Sequence, residues 1–547
     1  MGCCEGEGVR EGPLLPQLRV SCQWGDQQVG TNFARMVDQV AESAPDRLAV
    51  LCVEQNGTEE RLDYQGLRQR TNRLASGLSR LGLQKGHRVL VLLPRGVDAY
   101  VVYLALLKLG ATVMPGSEML RSGDVRYRVE HAQATAVIVH HTLTSVVDSI
   151  RSELPTLSHY FVVGGDAQDW VNIHSVYELG SSTDFYNQTQ DDDIAFLSYT
   201  SGTTGGPKGV IHSYAWPREH LAVAGTYWFD AQPGEIAWAT AGPGWAKWVW
   251  SPFVSILGNG AAAFVYKGRF APEVYLELLE KYKISLLCST PTEYRLMAKV
   301  DNLNRFKLTL RSAVSAGEPL NREVIDTFRR EFGVTVRDGY GQTENSLLVG
   351  TLQDMEVKPG SMGKPFPGMR VAIVDDEGQE LPVGEVGHIA VHSTFPALFK
   401  GYLNDAERTA RAFRGEWYIT GDKGRMDEDG YFWFEGRSDD IIISAGYTIG
   451  PFEVEDALVK HPKVAECAVV ASPDPERGHI VKAFVILRNP ADASDPNLVS
   501  ELQEHVKNVT APYKYPRAIE FVESLPKTTS GKIRRIELRD RENEKQG

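Results

Sequence analysis

The stretch TSGTTGGPKG, residues 200–209, gathers four hydroxyls (Thr200, Ser201, Thr203, Thr204), the ammonium of Lys208 and glycines at Gly202, Gly205, Gly206 and Gly209. Glycines let main-chain N–H groups come close to an anion, and the hydroxyls and the lysine aim further donors at the same place. That is the composition of a polyphosphate cradle. It is not a Walker A loop. Counted from Gly202, that pattern needs glycine at 207 and Lys-Ser/Thr at 208–209, whereas the chain has Pro207, Lys208 and Gly209. The hydroxyl that would open a helix and hold Mg²⁺ is missing, so a P-loop kinase is disfavoured. Hydrolase chemistry has less support still, because neither GxSxG nor HExxH occurs.

The cradle needs a rigid mount, and the apolar run 194–199 leads straight into it as a strand. Between about residues 30 and 350, helical patterns (72–83, 97–108, 272–283, 321–332) alternate with strand-like runs (89–93, 136–140, 160–163, 261–266, 284–288, 334–338). That alternation predicts an α/β fold of parallel sheets covered by helices. From about 354 to 436 short alternating strands punctuated by Gly and Pro read as a smaller β-rich unit. Beyond 437 the pattern becomes α+β, with helices at 451–461 and 496–509 and strands at 465–471 and 481–487. These shifts divide the chain into a large N-terminal domain, 1–436, and a smaller C-terminal domain, 437–547.

YTSGTTGGPKG resembles the phosphate loop of the adenylate-forming enzymes, the superfamily of acyl-CoA synthetases, luciferases and adenylation domains. Four further motifs match that family in order: DGYGQTE (338–344), YITGDKGRMDEDGYFWFEGR (418–437), DDIIISAGYTIGPFEVE (439–455) and PKTTSGKIRR (526–535). The resemblance spans about residue 32 to the C-terminus and is closest to short- and medium-chain acyl-CoA synthetases.

The resemblance implies a two-step reaction. A carboxylate attacks the α-phosphorus of ATP to give an acyl-adenylate and pyrophosphate, and CoA then takes the acyl group and releases AMP. Charge builds on phosphate oxygens in the first step, which calls for donors and a metal. By resemblance Glu344 holds Mg²⁺ and Thr343 contacts the α-phosphate, although Thr and Glu there also suit a helix start. The turn at Gly317, Glu318 and Pro319 would line one side of the adenine, with Asp338, Gly339 and Tyr340 on the other. Taken as an ordinary strand-to-helix turn, the same segment would be capped by Asn321. Asp422 would accept the ribose hydroxyls, as a carboxylate can accept two hydrogen bonds, and Arg437 would assist. Lys532 would bridge the attacking carboxylate and the phosphate. The C-terminal domain would be mobile about a hinge at Asp439. In its second pose Ser444, Gly446 and Tyr447 would line the path of the CoA thiol. Thr448 stands where the family has an arginine, and a short hydroxyl cannot supply that charge.

AGPGWAKWVW, residues 241–250, is similar to the family segment whose tryptophan bounds the acyl pocket. Trp245 is the expected wall, and its bulk favours short, branched or medium-length acids. Lys247, unexpected beside such a pocket, is expected to point away. An aryl acid, or a carrier-protein acceptor in place of CoA, is the alternative; a non-catalytic nucleotide-binding relative is a third.

The resemblance implies small-molecule partners, the acid, ATP and CoA, and composition is compatible with that. The 547 residues carry a net charge of −13 with no basic arm, which disfavours nucleic acid. The most apolar stretch, 100–114, contains Lys108 and is too short for a membrane span. Six sparse cysteines without a CxxC pair suit a reduced, cytoplasmic protein. The start MGCCEG has glycine at position six where myristoylation wants Ser or Thr, so an untethered N-terminus is expected.

Overall fold

The computed structural model describes residues 32–200, 207–318, 320–437, 440–444, 447–474, 477–527 and 533–545. Two large sheets carry the N-terminal part. The first runs in the order Val171–Asn172, His159–Val163, Ala136–His140, Arg88–Leu92, Thr112–Gly116, Ile194–Thr200, Lys208–Ser213. All neighbours are parallel except the last pair. Its inner strands carry near-continuous apolar runs, VLVL at 89–92, AVIV at 136–139 and IAFL at 194–197, as strands covered on both faces do. The helix Val97–Leu109 is buried at every residue but Asp98 and almost wholly apolar, and its buried Lys108 is paired with Asp38 at 2.7 Å.

The second sheet is parallel from Leu48–Val53 through Ala262–Tyr266, Ile236–Ala239, Leu286–Ser289 and Ser312–Ala316 to Val336–Gly341. Glu59–Asp63 flanks it antiparallel. Beyond Val336–Gly341 the pairing turns antiparallel through Leu347–Gly350, Ser361–Pro365, Phe432–Arg437, Trp417–Met426, Gly387–His392 and Val371–Val374. The β-rich stretch is therefore hydrogen-bonded into the second sheet, with Val349 and Gly350 opposite Pro365 and Lys364.

The C-terminal part is a smaller α+β unit. Its sheet has the order Val464–Asp474, Gly478–Leu487, Ala518–Phe521, and the helices Pro451–Val459, Leu498–Val509 and Arg535–Glu544 accompany it. Ile442, Val454, Val469, Val485 and Leu502 share a core of their own. Arg535 pairs with the buried Glu455 at 2.7 Å and lies over the Phe452 ring. Among the described residues no helix is long and apolar enough to cross a membrane.

Several expectations shift. The helix expected at 72–83 is Tyr64–Arg80, because Asp63 caps it by accepting from Gly66 N at 2.6 Å. The strands expected at 284–288 and 334–338 lie at Leu286–Ser289 and Val336–Gly341. Thr112–Gly116 is a central strand although it contains Pro115 and Gly116, residues that argue against a strand from sequence.

Candidate functional site

The carboxyl ends of parallel strands are where a ligand meets an α/β sheet. Here Thr200 ends one strand of the first sheet, and Ala316 and Gly341 end two of the second. Ser201, Gly202, Thr203, Thr204 and Gly205 lie outside the described residues, as do Pro319, Asp439, Gly446 and Lys532. Of the expected cradle, the structure describes the flanking residues Thr200 and Pro207. Thr200 Oγ1 is buried without a hydrogen-bond partner among the described residues, an open valence at the cradle's start. At the far end Pro207 receives a hydrogen bond from the Tyr127 hydroxyl at 2.7 Å.

Lys208 opens the strand Lys208–Ser213, and its Nζ lies 2.6 Å from Glu344 Oε1. Tyr402, which no sequence motif singled out, completes the group. Its hydroxyl accepts from Lys208 Nζ and donates to Glu344 Oε1, both at 2.9 Å. Glu344 is buried. Burial alone would raise its carboxyl, but the Lys208 ammonium and the Tyr402 hydroxyl outweigh it and hold Glu344 below the usual glutamate range. An ionised, buried carboxylate offers one hard oxygen donor of the kind Mg²⁺ takes. No group of three or more His, Cys, Asp or Glu side chains is placed to hold a metal among the described residues. A cation at Glu344 would therefore draw its other ligands from phosphate oxygens and water.

Thr343 and Glu344 do not start a helix. Residues 342–346 form a turn between the antiparallel strands Val336–Gly341 and Leu347–Gly350. The turn is closed by Asn345, whose Oδ1 accepts from the N–H groups of Gln342 and Ser346, each at 2.9 Å. Three buried rings hold it from below. His212 Nε2 donates to the Thr343 carbonyl at 2.6 Å, and Trp216 Nε1 to the Asn345 carbonyl at 2.8 Å. His220, stacked on Trp216, meets Ser346 Oγ at 2.6 Å. Burial pushes the two imidazoles down to about 4 and about 3, so both are neutral near pH 7.

On the next edge, Tyr340 and Gln342 converge on Asp422. The Tyr340 hydroxyl donates at 2.5 Å and Gln342 Nε2 at 2.6 Å, both to Oδ2. Arg437 Nη1 pairs with Oδ1 at 3.0 Å. Asp422 faces Arg437 directly in the strand register, which is why residues 15 apart in sequence meet. Asp338 is buried, and burial pushes its carboxyl up to about 7 against the N–H groups of Gly339 and Leu320. Gly317 and Glu318 follow Ala316; Glu318 accepts from the Thr292 hydroxyl at 2.8 Å. Asn321 stands at the N-cap of helix Arg322–Phe332 without a side-chain cap bond, and its amide N–H donates to Asp456 at 3.3 Å.

Trp245 is half-buried and packs on the N-terminal core. The bend before it needs Gly244, whose φ is +95° and whose added Cβ would lie 2.4 Å from Ser117 N. Lys247 turns to the second sheet, where it donates to the Ala316 carbonyl at 2.7 Å. Ser444 and Tyr447 face each other in the short hairpin Ile442–Ser444/Tyr447–Ile449.

Two family models now account for most of the chain: AMP-binding enzyme over residues 37–403 and AMP-binding enzyme C-terminal domain over 453–532. The chain belongs to the AMP-binding enzyme family. This AMP-binding enzyme is 56% identical over 505 residues to the uncharacterised acyl-CoA ligase YtcI of Bacillus subtilis, covering 92% of this chain and 94% of that one. It is 41% identical to the mitochondrial acyl-coenzyme A synthetase ACSM3 of Homo sapiens, over 93% and 89% of the two chains. Among solved structures, the anthranilate CoA ligase AuaEII in complex with anthranoyl-AMP superposes with a TM-score of 0.86 at 29% identity, over 95% and 98% of the chains.

Proposed function

We propose that the chain is an ATP-dependent acyl-CoA synthetase, an AMP-forming acid–thiol ligase. The observation that carries this reading is the convergence of Lys208, Tyr402 and Glu344 at the exit of the phosphate cradle. In the first half-reaction an oxygen of the substrate carboxylate forms a bond to the α-phosphorus of ATP, and the bond to pyrophosphate breaks. Lys208 and the cradle hydroxyls offset charge on the phosphates, Thr343 meets the α-phosphate and Lys532 bridges the two reactants. Asp422 and Arg437 take the ribose, while Gly317, Glu318, Pro319, Asp338, Gly339 and Tyr340 enclose the adenine. Mg²⁺ held by Glu344 would supply further charge compensation on the phosphate oxygens.

In the second half-reaction the CoA thiol, losing its proton, attacks the acyl carbonyl, and AMP leaves. Residues 1–436 and 437–547 act as two lobes hinged near Asp439, and Ser444, Gly446 and Tyr447 guide the thiol. The separate core of the C-terminal unit supports its moving as a body. Trp245 bounds the acyl pocket, and the acid is short, branched or medium-chain, a choice favoured by the bulk of that indole. An aryl acid is the second reading, favoured by the likeness to AuaEII. A cytoplasmic location is supported by the free, buried thiols of Cys52, Cys288 and Cys467.

Acid-dependent exchange of labelled pyrophosphate into ATP tests the first step, and CoA-dependent AMP release tests the second. A panel of short, branched, medium and aryl acids ranks the substrates. Exchange with none of them would sink the reading.

A further inference from the structure

Tyr402 is held from two sides. Its segment runs beside the strand that carries Lys208: Val210 and Tyr402 form an antiparallel bridge, Ile211 N donates to the Gly401 carbonyl at 3.1 Å, and Leu403 N to the Gly209 carbonyl at 2.8 Å. On the other side Phe399 N donates to the Glu344 carbonyl at 2.7 Å, tying the same segment to the turn that carries the carboxylate. Tyr402 is 7% exposed, and the Lys208 ammonium stands 4.5 Å from its ring centroid. A phenol hydroxyl can accept from the Lys208 ammonium and donate to the Glu344 carboxylate at the same time, as it does here.

In this arrangement one ammonium and one carboxylate neutralise each other. Neither is then disposed to serve a nucleotide. A triphosphate draws the ammonium, and a divalent cation draws the carboxylate, so the pair must separate as the ligand enters. A buried carboxylate that loses its cation is strongly disfavoured unless another donor remains. The Tyr402 hydroxyl is such a donor, and its main-chain anchors do not depend on Lys208.

We propose, resting on the reading of Glu344 as the metal-holding carboxylate, that Tyr402 is a positioning residue that keeps Glu344 in place while Lys208 exchanges it for phosphate. The phenol accepts from the lysine in the resting pair and goes on donating to the carboxylate once the lysine has turned. Through this bond, nucleotide binding and metal binding become coupled: the cation meets a carboxylate already oriented.

The test is calorimetric binding of α,β-methylene-ATP to the full chain, with Mg²⁺ and with EDTA. The quantity read is the ratio of the two affinities, which a general loss of packing would not change selectively. Tyr402→Phe keeps the ring and removes the hydroxyl. A hydrogen bond to a charged group is worth enough to change an equilibrium by about tenfold. In EDTA, Lys208 has turned to phosphate and no cation has arrived, so Tyr402→Phe should weaken binding by about that factor. With Mg²⁺ the cation compensates Glu344, the loss should be smaller, and the Mg²⁺-dependent tightening should grow. Glu344→Gln, run in parallel, has no charge to compensate and should abolish the tightening. If Glu344→Gln abolishes it and Tyr402→Phe leaves it unchanged or smaller, the role of Tyr402 is overturned and the metal assignment stands. If Glu344→Gln keeps it, the metal assignment fails and takes the Tyr402 proposal with it.

Discussion

The indole nitrogen of Trp228 donates to the main-chain carbonyl of Asp338 at 3.0 Å, and the same ring closes over Gly339. A Cβ at position 339 would sit 2.8 Å from the ring. The glycine in DGYGQTE is thus required by a tryptophan 111 residues earlier in the chain. Gly339→Ala should destabilise the fold by roughly 1–3 kcal/mol, the usual range for overpacking. The loss should be smaller in a Trp228→Phe background, where the ring is smaller. Thermal unfolding of the two single variants and the double variant checks this; equal losses in both backgrounds would remove Trp228 from the explanation.

Asp338 gives the protein a pH-dependent stability. Its carboxyl titrates at about 7 when folded against 3.8 for an unperturbed aspartate. Between those values the folded chain binds more protons than the unfolded one, so stability falls as pH rises. This contribution is intact below about pH 4 and lost by about pH 7. Asp338→Asn cannot titrate there. Its melting temperature should drop less than the wild type's between pH 5 and pH 8, and an identical drop would exclude Asp338 as the source.

The two half-reactions should separate by mutation. Lys532→Ala should block adenylate formation by a factor of at least about 10², the low end for one electrostatic stabiliser, yet let a premade acyl-adenylate react with CoA. Gly446→Leu should do the reverse by obstructing the thiol. Pyrophosphate exchange and thioester formation from the adenylate read the steps independently. Failure of both variants in one step would remove the rotating C-terminal lobe from the mechanism.

Chain-length preference should answer to Trp245. Trp245→Ala empties an indole's volume from the proposed pocket wall, so KM should fall for longer acids and rise for the shortest. An unchanged ranking across the panel would place the wall elsewhere.

The antiparallel pair Trp417–Met426 and Phe432–Arg437 shows where sequence reading succeeds. Both segments carry recognisable motifs, and their register makes Asp422 and Arg437 partners. Lys208 was visible as chemistry by its glycine- and hydroxyl-rich setting, and Glu344 through the likeness of DGYGQTE to a family motif. Tyr402, Trp228 and His212 were not. A lone tyrosine, tryptophan or histidine amid ordinary patterning carries no local signal, and each is defined by a partner between 58 and 131 residues away.

The amino-acid order on its own determined the alternating strands and helices, the shift to a β-rich stretch and then an α+β tail, and the ordered motifs, because these depend on periodicity and on residue types close together in the chain. Only the tertiary structure decided that the β-rich stretch joins the second sheet, that Lys247 reaches the Ala316 carbonyl and that a phenol stands between Lys208 and Glu344. Those outcomes follow from which strands become neighbours, and strand order is set by crossovers and long-range packing rather than by any short stretch of residues.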